Sequence, residues 1–190
     1  MEPRRVYVAG MSEATLMSAE ELLQLNVPDK RTELIRGRLV VRDPAGARHG
    51  AVANRIAYRV TAYVEAHDLG RVYAAETGFK IESNPDTVRA PDVAFIAKHR
   101  LPDVEPRGYP SWCPDLAVEV VAHDDHPADM LEKVAHWLKA GVHLVWVVDS
   151  ERRTARVYRA DGSDSFLAPN EALDGEQMLP GFRCPLVDLW

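Results

Sequence analysis

Residues 114–121, PDLAVEVV, place one acid inside an otherwise apolar run. A short continuous apolar run of this kind reads as a buried strand. Burying an unpaired carboxylate is expensive, so such a group is normally paired, protonated or bound to a metal. Glu119 therefore has three readings: a structural ion pair, a strand that ends early, or a functional site. The first and third demand a partner from elsewhere in the chain, and that demand constrains the fold.

The surrounding pattern supplies the other elements. SAEELLQL (18–25) opens with Ser18 and carries Glu21 three positions on, a capping box that predicts a short helix. ELIRGRLVV (33–41) flanks Arg36-Gly37-Arg38 with apolar residues and predicts a hairpin. Val52, Ile56, Val60 and Val64 recur at helical spacing, which predicts a long helix over 50–68 stopped by Gly70. RVYAAETGFKI (71–81), ended by the turn ESNPD, and APDVAFIA (90–97) read as strands. A proline-rich loop leads to a strand over 115–122. Pro127 and Gly141 then bracket a helix over 127–140, with Leu131, Val134, Ala135 and Leu138 as its apolar stripe. HLVWVVDS (143–150) and TARVYRA (154–160) read as strands, followed by a hairpin turn at Asp161-Gly162. The tail MLPGFRCPLVDLW is apolar and is expected to pack on the body.

This order predicts an α/β (α+β) fold with a mixed sheet, the long helix on one side and the 127–140 helix on the other. A chain of 190 residues with 46% apolar content can bury a real core. One domain is expected: an N-terminal helix and hairpin over 1–48, a core over 49–160 and an extension over 161–190. No apolar run approaches the ~20 residues that span a bilayer. MEPRRVYVAG lacks the apolar stretch of a signal peptide. Cys113 and Cys184 match no metal or redox spacing. A cytoplasmic protein with free thiols follows as the expectation.

The net charge of −6 argues against a general nucleic-acid-binding surface. Residues 29–60, however, hold eight basic side chains against three acids. That segment is either a local phosphate-binding face or an ordinary solvated face beside acidic neighbours. Arg31, Arg48 and Arg55 are its candidate phosphate contacts.

Two Pro-Asp pairs, Pro91-Asp92 and Pro114-Asp115, offer partners for Glu119. Asp115 lies four positions earlier on the same strand, ~13 Å away at strand spacing, too far to share an ion. Asp92 lies on another strand and converges with Glu119 if the two strands are neighbours. Two carboxylates at a strand end suit a hard cation such as Mg²⁺ or Mn²⁺, with water and substrate phosphate completing its shell. Such an ion can activate water for phosphodiester cleavage. HDDH (123–126) resembles a ligand cluster, but adjacent residues rarely converge on one ion, and Asp124 or Asp125 reads better as a helix N-cap. Serine, cysteine and nucleotide-loop motifs are absent.

The pieces TELIRGRLV, His49 opening the long helix, APDVAF, PDLAVEVV, LEKVAHWLKAGV, LVWVVD and LPGFRCPL occur in an order that is specific as a set. Over residues 16–190 the chain resembles the Uma-two family, whose members are described as endonucleases, within the PD-(D/E)XK restriction-endonuclease-like superfamily. That resemblance implies a restriction-endonuclease-like fold and a metal-dependent nuclease site at Asp92 and Glu119. The superfamily motif places lysine two positions after the acid, where this chain has Val121. The resemblance implies Lys133 as the substitute, although the expected stripe leaves it outside. Lys80 and Lys98 are the other candidates among five lysines. His49 and Glu33 are possible accessory residues, Glu33 otherwise reading as a hairpin residue paired with Arg38.

The expected function is a Mg²⁺- or Mn²⁺-dependent endonuclease acting on nucleic acid, with DNA the favoured substrate and a homodimer compatible with it. The alternative is a non-catalytic nucleic-acid-binding or scaffold protein of the same fold. In that case Glu119 would be buried but paired with an arginine.

Overall fold

The computed structural model describes residues 16–123 and 125–190. The expectations for MEPRRVYVAG and for Asp124 as a cap lie outside the described residues. Helix α1 (Ala19–Gln24) leads into strands β1 (Arg31–Ile35) and β2 (Arg38–Arg42), then the long helix α2 (Ala47–Ala66). Strands β3 (Gly70–Ala74), β4 (Phe79–Glu82), β5 (Thr87–Arg89), β6 (Val93–Ala97) and β7 (Leu116–Val121) follow. Helix α3 (Pro127–Lys139) connects β7 to β8 (Leu144–Asp149). β9 (Thr154–Arg159), β10 (Asp164–Leu167), β11 (Ala172–Asp174) and β12 (Arg183–Pro185) complete the chain, with short 3-10 turns after β6 and β12.

Six strands form the main sheet in the order β10-β9-β8-β7-β6-β3. β7 and β8 are parallel, with α3 as their crossover, and the other pairs are antiparallel. A second sheet runs β2-β1-β5-β4, and β11-β12 form a third. Alternation along β7 separates two faces of the main sheet. Val118 and Val120 pack with Val52, Ile56 and Val60 of α2. Ala117 packs on the other side with Val134 and Trp137 of α3. The mixed sheet with one helix on each side is thus as the sequence predicts. The apolar tail also packs as expected: Leu179, Phe182, Leu186 and Leu189 are buried on the α2 side.

Ser18 Oγ accepts from the Glu21 N–H while Glu21 accepts from the Ser18 N–H, so the capping box forms. The hairpin turn is built from Arg36 and Gly37, both in the left-handed region (φ 50° and 74°), as a two-residue primed turn requires.

Several boundaries differ from expectation. The expected strand 71–81 is two strands, β3 and β4, in different sheets, broken at Ala75–Gly78. β5 occupies Thr87–Arg89, between the turn ESNPD and the expected strand 90–97, where the sequence predicts no element, and β6 begins only at Val93. The apolar pattern did not show these breaks because both halves are flanked by apolar residues. Helix α2 starts at Ala47 with Gly46 as N-cap, so His49 lies within its first turn. Gly70 does not end that helix. It opens β3, where an added Cβ would sit 2.0 Å from the Ile96 carbonyl oxygen, so close strand approach requires glycine there.

Candidate active site

The register of β6 and β7 pairs Val93 with Val118, which sets Asp92 beside Glu119 at the end of the pair. The Asp92 N–H donates to the Val118 carbonyl at 2.9 Å, and its Oδ2 accepts the Val120 N–H at 2.7 Å. His49 reaches the same oxygen from α2, with Nε2 at 3.2 Å. Asp92, Glu119 and His49 are all buried.

Glu119 faces α3. Its Oε2 accepts from Lys133 Nζ at 2.7 Å and its Oε1 from Trp137 Nε1 at 2.8 Å. Lys133 and Trp137 are four residues apart on the helix, so one face presents both donors to one carboxylate. Lys133 Nζ also donates to the Ala90 carbonyl at 3.3 Å and lies 3.5 Å from Glu33 Oε1. Glu33, on β1, accepts the Ala90 N–H at 3.0 Å and Arg89 Nη1 at 3.0 Å. Arg89 is fully buried and extends the network to His136 Nδ1 at 2.8 Å.

The charges in this network are interdependent. Burial pushes Glu119 upward, and the Asp92 and Glu33 carboxylates reinforce it against Lys133, to about 7. Burial acts on Glu33 in the same sense, but Lys133, Arg89 and the Ala90 amide outweigh it and hold the carboxyl at about 2. Asp92 is also held low. Burial opposes this, and His49, Lys133 and the Val120 amide prevail. Burial alone would lower Lys133, yet Glu119, Glu33 and Asp92 raise it, so the ammonium stays charged.

A narrow cleft opens onto Asp92, Glu119, His49 and Lys133, with Arg31 and Arg42 in its wall. A second space adjoins it and shares Arg31, Arg42, Asp92 and Lys133. Among the described residues, no three His, Cys, Asp or Glu side chains form a metal cluster. The donor set is nonetheless right for a hard cation that takes one or two carboxylates and otherwise water and substrate oxygens. Asp92 and Glu119 would hold such an ion, and Glu119 would trade its lysine contact for it.

The structure brings Asp92, Glu119, Lys133, His49, Glu33 and Arg31 to one place. It does not bring Lys80 there: its ammonium pairs with Asp86 at 2.9 Å and Glu20 at 3.7 Å, beside α1. Arg55 donates to the Trp190 carbonyl oxygen at 2.6 Å, away from the cleft. Arg48 is exposed and lines neither space. Lys98 pairs with Asp68.

The helix stripe is corrected as well. Val134 and Trp137 are buried, Met130 and Lys133 half-buried, and Leu131 is 53% exposed. The inward face therefore runs through 130, 133, 134 and 137, and it includes Lys133. Glu33 pairs with Arg89 rather than Arg38. The N-cap of α3 is His126, whose ring accepts from the Ala128 N–H at 3.4 Å, while Asp125 pairs with Arg42. Trp137, Arg42, Asp125 and Arg89 went unremarked as site residues in the sequence. Arg89 was hidden by the unrecognised β5, and the i, i+4 spacing of Lys133 and Trp137 was the available signal for the tryptophan.

A crystal structure at 1.96 Å resolution of a "putative nuclease belonging to DUF820" from Anabaena variabilis superposes with a TM-score of 0.77 at 21% identity. The match covers 91% of this chain and 97% of the other, and it shows a shared fold. No curated protein matches the chain. Residues 19–187 match the sequence profile of the Uma2 family, described as "Putative restriction endonuclease", and the chain belongs to that family.

Proposed function

We propose that the protein is a Mg²⁺- or Mn²⁺-dependent endonuclease that hydrolyses phosphodiester bonds in nucleic acid, DNA in the first instance. The observation that carries this reading is Lys133. The motif lysine is missing at Val121, yet a lysine from α3 stands 2.7 Å from Glu119 in the lining of a cleft. Asp92 and Glu119 would hold the ion, which when bound supplies Lewis-acid stabilisation and a more acidic water. The Val120 amide and His49 fix the Asp92 carboxylate, so its orientation is set before substrate arrives. Lys133, 2.7 Å from Glu119, would orient water or stabilise charge developing on the phosphoryl oxygens. Glu33, itself held by Arg89, and the Ala90 carbonyl fix Lys133 at that position. The alternative, a binding-only protein, called for an arginine on Glu119. Here the partners are a lysine and a tryptophan.

The test is nicking of supercoiled plasmid with Mn²⁺, Mg²⁺ or EDTA, with Asp92→Asn run beside the wild type. Cleavage by the wild type alone, and only with metal, is expected. Equal cleavage by Asp92→Asn removes the site assignment, and plasmid and RNA both left intact by the wild type would favour the binding-only reading.

A further inference from the structure

Arg42 ends β2 and reaches across the cleft to the segment that follows β7. Its Nη1 donates to Asp125 Oδ1 at 2.8 Å, and Asp125 Oδ2 accepts the Ala122 N–H at 2.9 Å. Both residues line the cleft that holds Asp92, Glu119 and Lys133. The contact ties the N-terminal hairpin to the turn after the Glu119 strand, directly at the candidate active site.

Two observations mark this place as built for an anion. Arg31 and Arg42 are directly opposed in the β1–β2 register. Like charges directly opposite on a ladder repel, so an anion between or beside them relieves a standing cost. In addition, among the described residues Arg42 Nε is buried with no hydrogen-bond partner. A buried donor without an acceptor is unfavourable, and a guanidinium offers five N–H donors, of which Nη1 is the one on Asp125.

We propose that Arg42, with Arg31 beside it, forms a phosphate subsite, and that the Asp125 carboxylate occupies it in the free protein as an internal stand-in for a nucleic-acid phosphate. The proposal rests on the nuclease reading and adds Arg42 and Asp125 to Arg31, already a candidate phosphate contact in the sequence. Carboxylate and phosphate present similar oxygens to a guanidinium fork, so one can replace the other. Substrate would displace Asp125, release the tie between hairpin and turn, and open the path to Asp92 and Glu119. The Arg42–Asp125 pair therefore competes with substrate and sets how strongly the backbone must bind to enter.

The experiment is an anisotropy titration of the full chain with fluorescein-labelled DNA and RNA duplexes, with Ca²⁺ in place of Mg²⁺ to keep the probes intact. Asp125→Asn, Arg42→Ala and the double variant are compared with the wild type. Asparagine keeps an acceptor for the Ala122 amide, so the turn survives, and thermal melting checks this. Asp125→Asn is expected to tighten binding about threefold, the scale of a partly exposed ion pair. Arg42→Ala is expected to weaken it about tenfold and to make the log–log salt slope shallower by about one. In the Arg42→Ala background, Asp125→Asn should change nothing further. Unchanged or weaker binding by Asp125→Asn overturns the proposal, as does an undiminished effect of Asp125→Asn without Arg42. If the wild type cleaves but the variants behave in that way, only the subsite falls. If the wild type neither binds nor cleaves, the nuclease reading falls with it.

Discussion

Pro91-Asp92 and Pro114-Asp115 are the same dipeptide at the starts of two neighbouring antiparallel strands, β6 and β7. They do the same local job. Each aspartate donates its N–H to the partner strand at 2.9 Å, Asp92 to Val118 and Asp115 to Phe95. Each also accepts a backbone N–H from that strand, Asp92 from Val120 at 2.7 Å and Asp115 from Ala97 at 2.8 Å. The two carboxylates thus tie off opposite ends of one ladder. Their remaining surroundings differ. Asp115 is closed by Arg100, with Nη1 on Oδ1 at 2.6 Å and Nη2 on the Cys113 carbonyl at 3.0 Å. Asp92 faces a cleft together with Glu119, Lys133 and His49. A matched arginine makes a finished structural pair, whereas at the other end Lys133 is divided between Glu119 and Glu33 and Asp92 is met by His49.

Removing the cation at each end should separate the roles most widely. Lys133→Ala is expected to lower the plasmid cleavage rate about 10³-fold, the scale of a lost proton-transfer or charge-stabilising group. A rate within a few-fold of wild type would erase the distinction between the two ends.

The site end should also govern stability in acid. Glu33 would titrate near 4.5 when unfolded and at about 2 when folded. Its folded value is depressed, so its contribution is present above 4.5 and is lost as pH falls toward 2. The loss amounts to about 3 kcal/mol. Urea melts of the wild type and Glu33→Gln across that window check it. The variant should lack this part of the pH dependence.

Arg100→Ala should cost about 2 kcal/mol of stability, because it strands the buried Asp115 charge and the Cys113 carbonyl. Cleavage per folded molecule should stay at the wild-type rate. A loss of rate beyond the loss of folded protein would mean that the Asp115 end takes part in function.

The Asp92–Glu119 pairing was legible because strand spacing excluded Asp115 from Glu119 and left Asp92. Lys133 was legible only through the family resemblance. The residue pattern put it off the apolar stripe, since a wheel that counts only apolar residues discards a lysine that a buried acid pulls inward. Arg89 and the Arg42–Asp125 pair could not be read at all. The first sits in a three-residue strand too short to show a period, and the second joins residues 83 apart in the chain.

By itself, then, the sequence determined the local elements: the capping box at Ser18, the hairpin around Arg36-Gly37-Arg38, the proline start of α3, and the apolar runs that must be buried strands. These depend on backbone preferences and on spacing within a few residues. The tertiary structure alone decided which of two identical Pro-Asp corners is sealed by an arginine and which opens onto a cleft. It also decided that Lys133 of α3 faces Glu119 and that Glu33 is held by Arg89. Those outcomes depend on which charges meet in a low-dielectric interior, and that follows from sheet order and register rather than from neighbours along the chain.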